Sequence, residues 1–318
     1  MQNTKIEISD LDRNYILSSK HLHTTMIHPI ITKKAIEILE RMPLKTQDDI
    51  DFHMRSAELL FNENLYWDAQ NTYQRVIVKP KRYAKQAARQ RDNRFSNLKK
   101  DQQKSALDQV SKAISSDEEN AAQAYVLLLN LFRDYKKGVE AFESFGLTYG
   151  DLTHDQAYWV AWAFFKTGDP VAANAMFVRI LMEDPGHTQS KIGQSYCMTV
   201  MGNGDAALDQ LRTVESRQPD DLEVLYAIAF VHEKKGRFLE ATKVYDRILK
   251  ISPGNPLAKR LQLRAYADMG AVTYASDRAE NELPLDNELK NSLTARSAVN
   301  HIRWDESEIA KDILSPLT

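Results

Sequence analysis

One interval governs this sequence. Gly168, Gly202, Gly236 and Gly270 stand 34 residues apart, three times over. Ala173, Ala207 and Ala241 keep the same interval, as do Pro185, Pro219 and Pro253. Internal periods of about 20 to 50 residues specify stacked supersecondary units rather than a single globular core, so this spacing limits the chain more than its composition does.

Each marker has a physical role in a helix–turn–helix unit. The glycine ends the first helix, where a left-handed residue closes the last turn and a missing side chain costs least. The alanine sits near the start of the second helix, where two backbones cross closely and a larger side chain pushes them apart. The proline stops the second helix, and Pro170 suits a first helical turn. Between the markers of one unit the apolar residues are Leu225, Ile228, Ala229, Phe238, Ala241, Tyr245, Ile248 and Ile251. Their spacing is helical, so an amphipathic helix pair is expected and not alternating strands.

These units resemble tetratricopeptide repeats. Gly236, Phe238, Ala241, Tyr245 and Pro253 stand at the family's signature positions, and Gly168, Ala173, Phe177 and Pro185 match likewise. The stretch departs from the family in having no first-helix tryptophan at the usual place. The resemblance implies an all-α, right-handed superhelical solenoid of antiparallel helix pairs. Three clear repeats occupy 154–255. Residues 50–153 read as divergent units, marked by Asn64, Tyr66, Ala69 and Tyr73, then Ala106, Val110 and Ala113, then Tyr135, Gly138, Phe142 and Phe145. Residues 1–49 read as a helical cap, with one helix over Ile30–Met42 after Pro29. In 256–318 the helix Leu257–Met269 and Gly270 keep the period, Ala271–Glu282 reads as having lost the marker alanine, and capping helices follow. Six or seven units are expected in all.

A stack of such units binds along its concave face, which the first helices line. By the resemblance, groove positions are the second, fifth, ninth and twelfth of each unit. They carry an aromatic stripe of Tyr158, Trp162, Phe165, Tyr196, Tyr226 and Phe230 that ends in Arg260 and Arg264. Aromatic and arginine side chains are common interface anchors, so a partner protein or peptide is expected there. The competing reading is that some rings only pack between adjacent repeats. Repeats that hold a chaperone's terminal carboxylate use a clamp of Lys, Asn and Arg. Tyr158, Trp162 and Ile192 stand in those places, so the clamp is absent.

Residues 79–100 form a basic segment in which Arg82, Lys85 and Arg89 share one helical face. An anionic partner, RNA or an acidic protein tail, is one expectation, and a solvated helix face is the other. Only Tyr83 and Phe95 interleave, which is poor material for a base-stacking platform. The formal charge of −2 adds no global attraction to nucleic acid or anionic membrane.

Catalytic chemistry is hard to place. His21, His23 and His28 cluster at a spacing that does not put two ligands on one helix face, so no metal site is expected. There is no phosphate-cradling glycine loop, no cofactor motif and no acid–base constellation. Cys197, the single cysteine, lies at an apolar helix position and reads as a buried thiol. The expectation is a non-enzymatic scaffold that needs no cofactor. Met1–Lys20 has no apolar signal core and no stretch reaches the roughly 20 apolar residues of a membrane span. That points to the cytoplasm, although a processed periplasmic export component would present the same chain. Self-association through the terminal units, using Trp304 and the apolar tail Ile309–Leu317, is a further expectation.

A narrower resemblance covers Ala157–Glu308. The run Arg264–Ala271, then Glu282–Leu285, then His301–Glu306 is similar to the periplasmic repeat region of outer-membrane poly-N-acetylglucosamine export porins, with Asp305 in place of a glycine. It implies a polysaccharide-guiding role in exopolysaccharide export, with rings stacking on sugars. Residues 1–118 carry nothing of it.

Overall fold

The computed structural model describes residues 36, 39, 42–78, 81–282 and 286–303, without the side chains of 81–82 and 298–303. His21, His23, His28, Trp304 and the tail Ile309–Leu317 lie outside the described residues, as does most of the Ile30–Met42 helix. Every helix and turn described below belongs to the described part.

Short polar turns separate fifteen described α-helices. They are α1 (Gln47–Asn62), α2 (Tyr66–Val78), α3 (Lys81–Ser96), α4 (Lys100–Ser115), α5 (Ala121–Leu131) and α6 (Tyr135–Ser144). A single 3-10 turn, Tyr149–Asp151, leads to α7 (His154–Thr167) and α8 (Pro170–Glu183). Then come α9 (Thr188–Val200), α10 (Gly204–Glu215), α11 (Leu222–Lys234), α12 (Phe238–Ile251), α13 (Pro256–Asp268), α14 (Val272–Glu282) and α15 (Asn287–Arg303). The chain divides into two compact units, Met1–Ala163 and Phe164–Thr318, and α7 runs through the division.

In the second unit each helix packs on the next in order, and α9 also touches α11, first helix beside first helix. The turns explain the period. Gly168, Gly202, Gly236 and Gly270 have φ of +96°, +91°, +68° and +97°. Each is followed by an N–H that reaches back across the turn: Asp169 to the Phe164 carbonyl at 2.9 Å, Asn203 to Met198 at 2.7 Å, Arg237 to His232 at 2.9 Å and Ala271 to Tyr266 at 3.0 Å. This left-handed closure satisfies carbonyls that a helix end otherwise leaves orphaned. Ala173, Ala207 and Ala241 are fully buried at the crossings. Ala275, 34 residues beyond Ala241, is fully buried as well. The reading of Ala271–Glu282 as lacking the marker alanine is therefore corrected: the fourth unit keeps it on α14.

The first unit closes one such turn with glycine, Gly146 at φ +63° with Leu147 N–H on the Phe142 carbonyl at 3.2 Å, and makes others without it. Asn64, Asp117 and Arg133 hold φ of 61°, 53° and 63°. Their followers close the turns as before, Leu65 to Leu60 at 2.9 Å, Glu118 to Ala113 at 3.0 Å and Asp134 to Leu129 at 2.9 Å. Tyr66, Ala69 and Tyr73 of α2 and Ala106, Val110 and Ala113 of α4 are buried in one apolar cluster with Phe61 and Phe95. Second helix meets second helix (α2 with α4) and first meets first (α3 with α5), the stacking of repeat units.

Candidate interaction site

In the second unit the sequence stripe becomes a ring ladder. Tyr196 and Phe230 hold the same position in successive units, so they project from the same face of α9 and α11. Their centroids lie 4.7 Å apart, and Phe165 adds a ring 6.0 Å from Tyr196. All three rings are half-buried. Lys234 places its ammonium 5.5 Å from the Phe230 centroid, a cation–π distance. Burial raises the Tyr196 hydroxyl above its ordinary range, and Glu223 and Glu233 add to the effect.

The other predicted groove residues of this unit are already engaged. Tyr226 donates its hydroxyl to Asn255 Oδ1 at 2.9 Å and lies 6.4 Å from the Tyr245 ring. Arg264 pairs with Glu233 at 3.0 Å, and Glu233 also accepts the Tyr245 hydroxyl at 2.9 Å. Arg260 pairs with Asp286 at 3.4 Å and Glu288 at 2.9 Å. The two arginines thus close the ladder as ion-paired groups rather than as bare anchors.

The first unit holds its own aromatic pair. Tyr158 and Trp162, one helical turn apart on α7, stack with centroids 6.5 Å apart and ring planes 9° from parallel. Beside them lies a charged cluster that sequence reading missed. Arg91 is fully buried, 2.7 Å from Asp92, 2.6 Å from Asp155 and 3.3 Å from Gln74 Oε1. Trp159 donates its indole N–H to Asp92 at 2.8 Å. Burial pushes the Asp92 carboxyl above its usual range, against the pull of Arg91 and Trp159. Arg91 therefore ties α3 to α7 and is not a solvated member of the basic run.

Of that run, Arg94 is bound to Glu58, which also accepts the Tyr73 hydroxyl at 2.6 Å and the Gln90 amide at 2.7 Å. Burial alone raises the Glu58 carboxyl, but these three donors bring it below its ordinary value. Lys85 and Arg89 remain exposed on α3, and the Arg82 side chain lies outside the described residues. A cavity of about 290 Å³ opens between α1 and α3, lined by Ile50, Met54, Glu58, Gln86 and Gln90 among others. Its signal in the sequence is faint, a row of amides at helical spacing.

Cys197 is buried, and burial pushes its thiol up to about 12, which suits packing and not nucleophilic attack. Among the described residues no group of three or more His, Cys, Asp or Glu is arranged to hold a metal. No described helix is long and apolar enough to cross a membrane.

Residues 201–265, spanning α10 to most of α13, match the family model of the tetratricopeptide repeat. The chain carries tetratricopeptide repeats. A solved tetratricopeptide repeat protein from Parabacteroides merdae superposes with a TM-score of 0.51 at 13% identity, covering 77% of this chain and 96% of that one. At that identity the likeness speaks to the fold. MamA from Desulfovibrio magneticus aligns at a TM-score of 0.42 and 14% identity, over 51% of this chain and 92% of that one. Among curated proteins, the CTR9 homolog of Arabidopsis thaliana is 30% identical over 118 residues, 37% of this chain. The chain spans only 10% of that relative's length. The family match and the Parabacteroides superposition agree on stacked tetratricopeptide repeats, and no match lends anything to the export-porin resemblance. Leu283–Leu285 and Trp304–Glu306, which carry part of that resemblance, lie outside the described residues.

Proposed function

We propose that this repeat protein is a non-catalytic scaffold that seats a segment of a partner protein against the ring ladder Phe165–Tyr196–Phe230 of its second unit. The observation that carries the reading is the ladder itself: half-buried rings from successive first helices, in tilted contact with one another and bordered by Lys234. Such a surface offers apolar area on rigid helices, and rigid aromatic anchors usually supply most of an interface's energy. Tyr226 and Arg260 serve the site by holding its walls through Asn255, Asp286 and Glu288. In the first unit Tyr158 and Trp162 form a comparable patch of their own.

The test is replacement of Phe230 by Ala. With a partner isolated by affinity purification from the native host, calorimetry should show a loss on the order of 2 kcal/mol, or roughly 30-fold in affinity. Circular dichroism should be unchanged, because the ring is only half-buried. Unaltered affinity of a folded Phe230→Ala protein would refute the ladder as the docking surface.

A further inference from the structure

The face between α1 and α3 in the first unit is built differently from the ring ladder. On α3 the residues Tyr83, Gln86, Gln90 and Asn93 fall at i, i+3, i+7 and i+10, one continuous stripe of the helix. Gln86 and Gln90 line the cavity of about 290 Å³, and with Asn93 they also line a neighbouring depression of about 680 Å³. Ile50, Met54 and Ala87 give the first of these an apolar lining. Lys85 and Arg89 border the second, and Arg55 stands on the opposite helix α1.

We propose that this groove binds an extended acidic peptide, with one aliphatic side chain in the cavity and flanking carboxylates on Lys85 and Arg89. A primary amide both donates and accepts, so a stripe of them can pair with the N–H and C=O groups of an extended main chain. Gln90 spends one N–H on Glu58 at 2.7 Å, leaving its carbonyl oxygen as an acceptor. The cavity has the size of a single side chain's seat and is too small for a helix.

Charge sets the preference. Arg94 is neutralised by Glu58, whereas Lys85 and Arg89 are exposed with no carboxylate partner among the described residues. Two carboxylates line the depressions: Glu58, which is taken up by Arg94, and Asp51, which lines the first of them and accepts from Gln47 at 2.8 Å. The sum is a basic rim over a neutral, amide-lined floor. Nucleic acid is the poorer occupant, because base stacking needs free aromatic faces. Tyr83 supplies the one ring in the lining of the two depressions, and its hydroxyl is bonded to Gln47. This site is separate from the ring ladder of the second unit and stands or falls without it.

The experiment uses the full chain and fluorescence anisotropy with three probes. They are a labelled nonapeptide with four Glu flanking one Leu, the same peptide with Gln in place of Glu, and a single-stranded uridylate 12-mer. The acidic peptide should bind about tenfold or more tighter than its neutral counterpart, and weaken with salt. Lys85→Glu with Arg89→Glu should reduce its affinity at least about tenfold, since two attractions become repulsions. Gln86→Ala should weaken both peptides to the same degree, and Phe230→Ala should leave both unchanged. Equal binding of the acidic and neutral peptides, no binding of the acidic one, or tighter binding of the RNA would each overturn the proposal.

Discussion

Gly193 is a glycine in the interior of α9, where a helix ordinarily gains about 1 kcal/mol from alanine. Its reason is visible one helix away. A Cβ built on Gly193 falls 2.4, 2.7 and 2.8 Å from Cζ, Cε1 and Cε2 of Phe177, a ring of α8 with no solvent exposure. Ordinary carbon contacts begin near 3.4 Å, so the ring or the helix must retreat by roughly 1 Å. Overpacking of a close-packed core typically costs about 1–3 kcal/mol. That exceeds the helical gain, so Gly193→Ala should lower stability by about 1 kcal/mol. The three clashing atoms are all absent from leucine. In a Phe177→Leu background the same Gly193→Ala change should therefore raise stability by about 1 kcal/mol, a coupling of about 2 kcal/mol. Urea unfolding followed by circular dichroism measures all four proteins. Repeat arrays can unfold piecewise, so hydrogen exchange of α8 and α9 amides should report the same order of stabilities. If Gly193→Ala stabilises the native-sequence protein as much as it does the Phe177→Leu protein, the packing argument is wrong.

Two further outcomes follow from buried charge. Arg91→Met leaves Asp92 and Asp155 facing one another without their cation and should cost about 3 kcal/mol in urea unfolding, with most of it restored by adding Asp92→Asn and Asp155→Asn; a loss under about 1 kcal/mol would show that the triad is energetically idle. His53 is fully buried, with Nδ1 2.8 Å from the Asp49 carbonyl and Nε2 3.3 Å from that of Leu39. Burial lowers its pKa despite those carbonyls, and burial lowers that of His232 too. The unfolded chain then binds the extra protons, so this stability is complete above about pH 6.5 and is lost as pH falls below it. The urea midpoint should drop between pH 7.5 and 6.0, and the drop should shrink when both histidines are Gln; an identical drop in that variant would sink the assignment.

How much of this was legible in the residues depends on how local its cause is. The left-handed turn needs only a residue that tolerates positive φ, and Gly168, Gly202, Gly236 and Gly270 announce it directly. Asn64, Asp117 and Arg133 adopt the same conformation, but each is common elsewhere, so the first unit's turns carried a weaker mark. The rings Tyr196 and Phe230 were legible because one period places them on the same face. The amide stripe Gln86–Gln90–Asn93 was not, since polar residues on a helix ordinarily mean nothing more than solvent.

Charge was the least legible of all. In sequence, Arg91 is one member of a run with Arg89 and Arg94, and its neighbour Asp92 does not by itself separate a buried ion pair from an exposed one. The structure gives Arg89 to solvent, Arg94 to Glu58 and Arg91 to a buried site 64 residues from its partner Asp155. Arg260 and Arg264 likewise find carboxylates 26 to 31 residues away. Helix, turn and repeat length arise from steric and hydrogen-bonding preferences that act within a few residues, so the sequence alone determined them. Which charges are spent on the fold and which face a partner depends on helices packed side by side, and only the tertiary structure decided that.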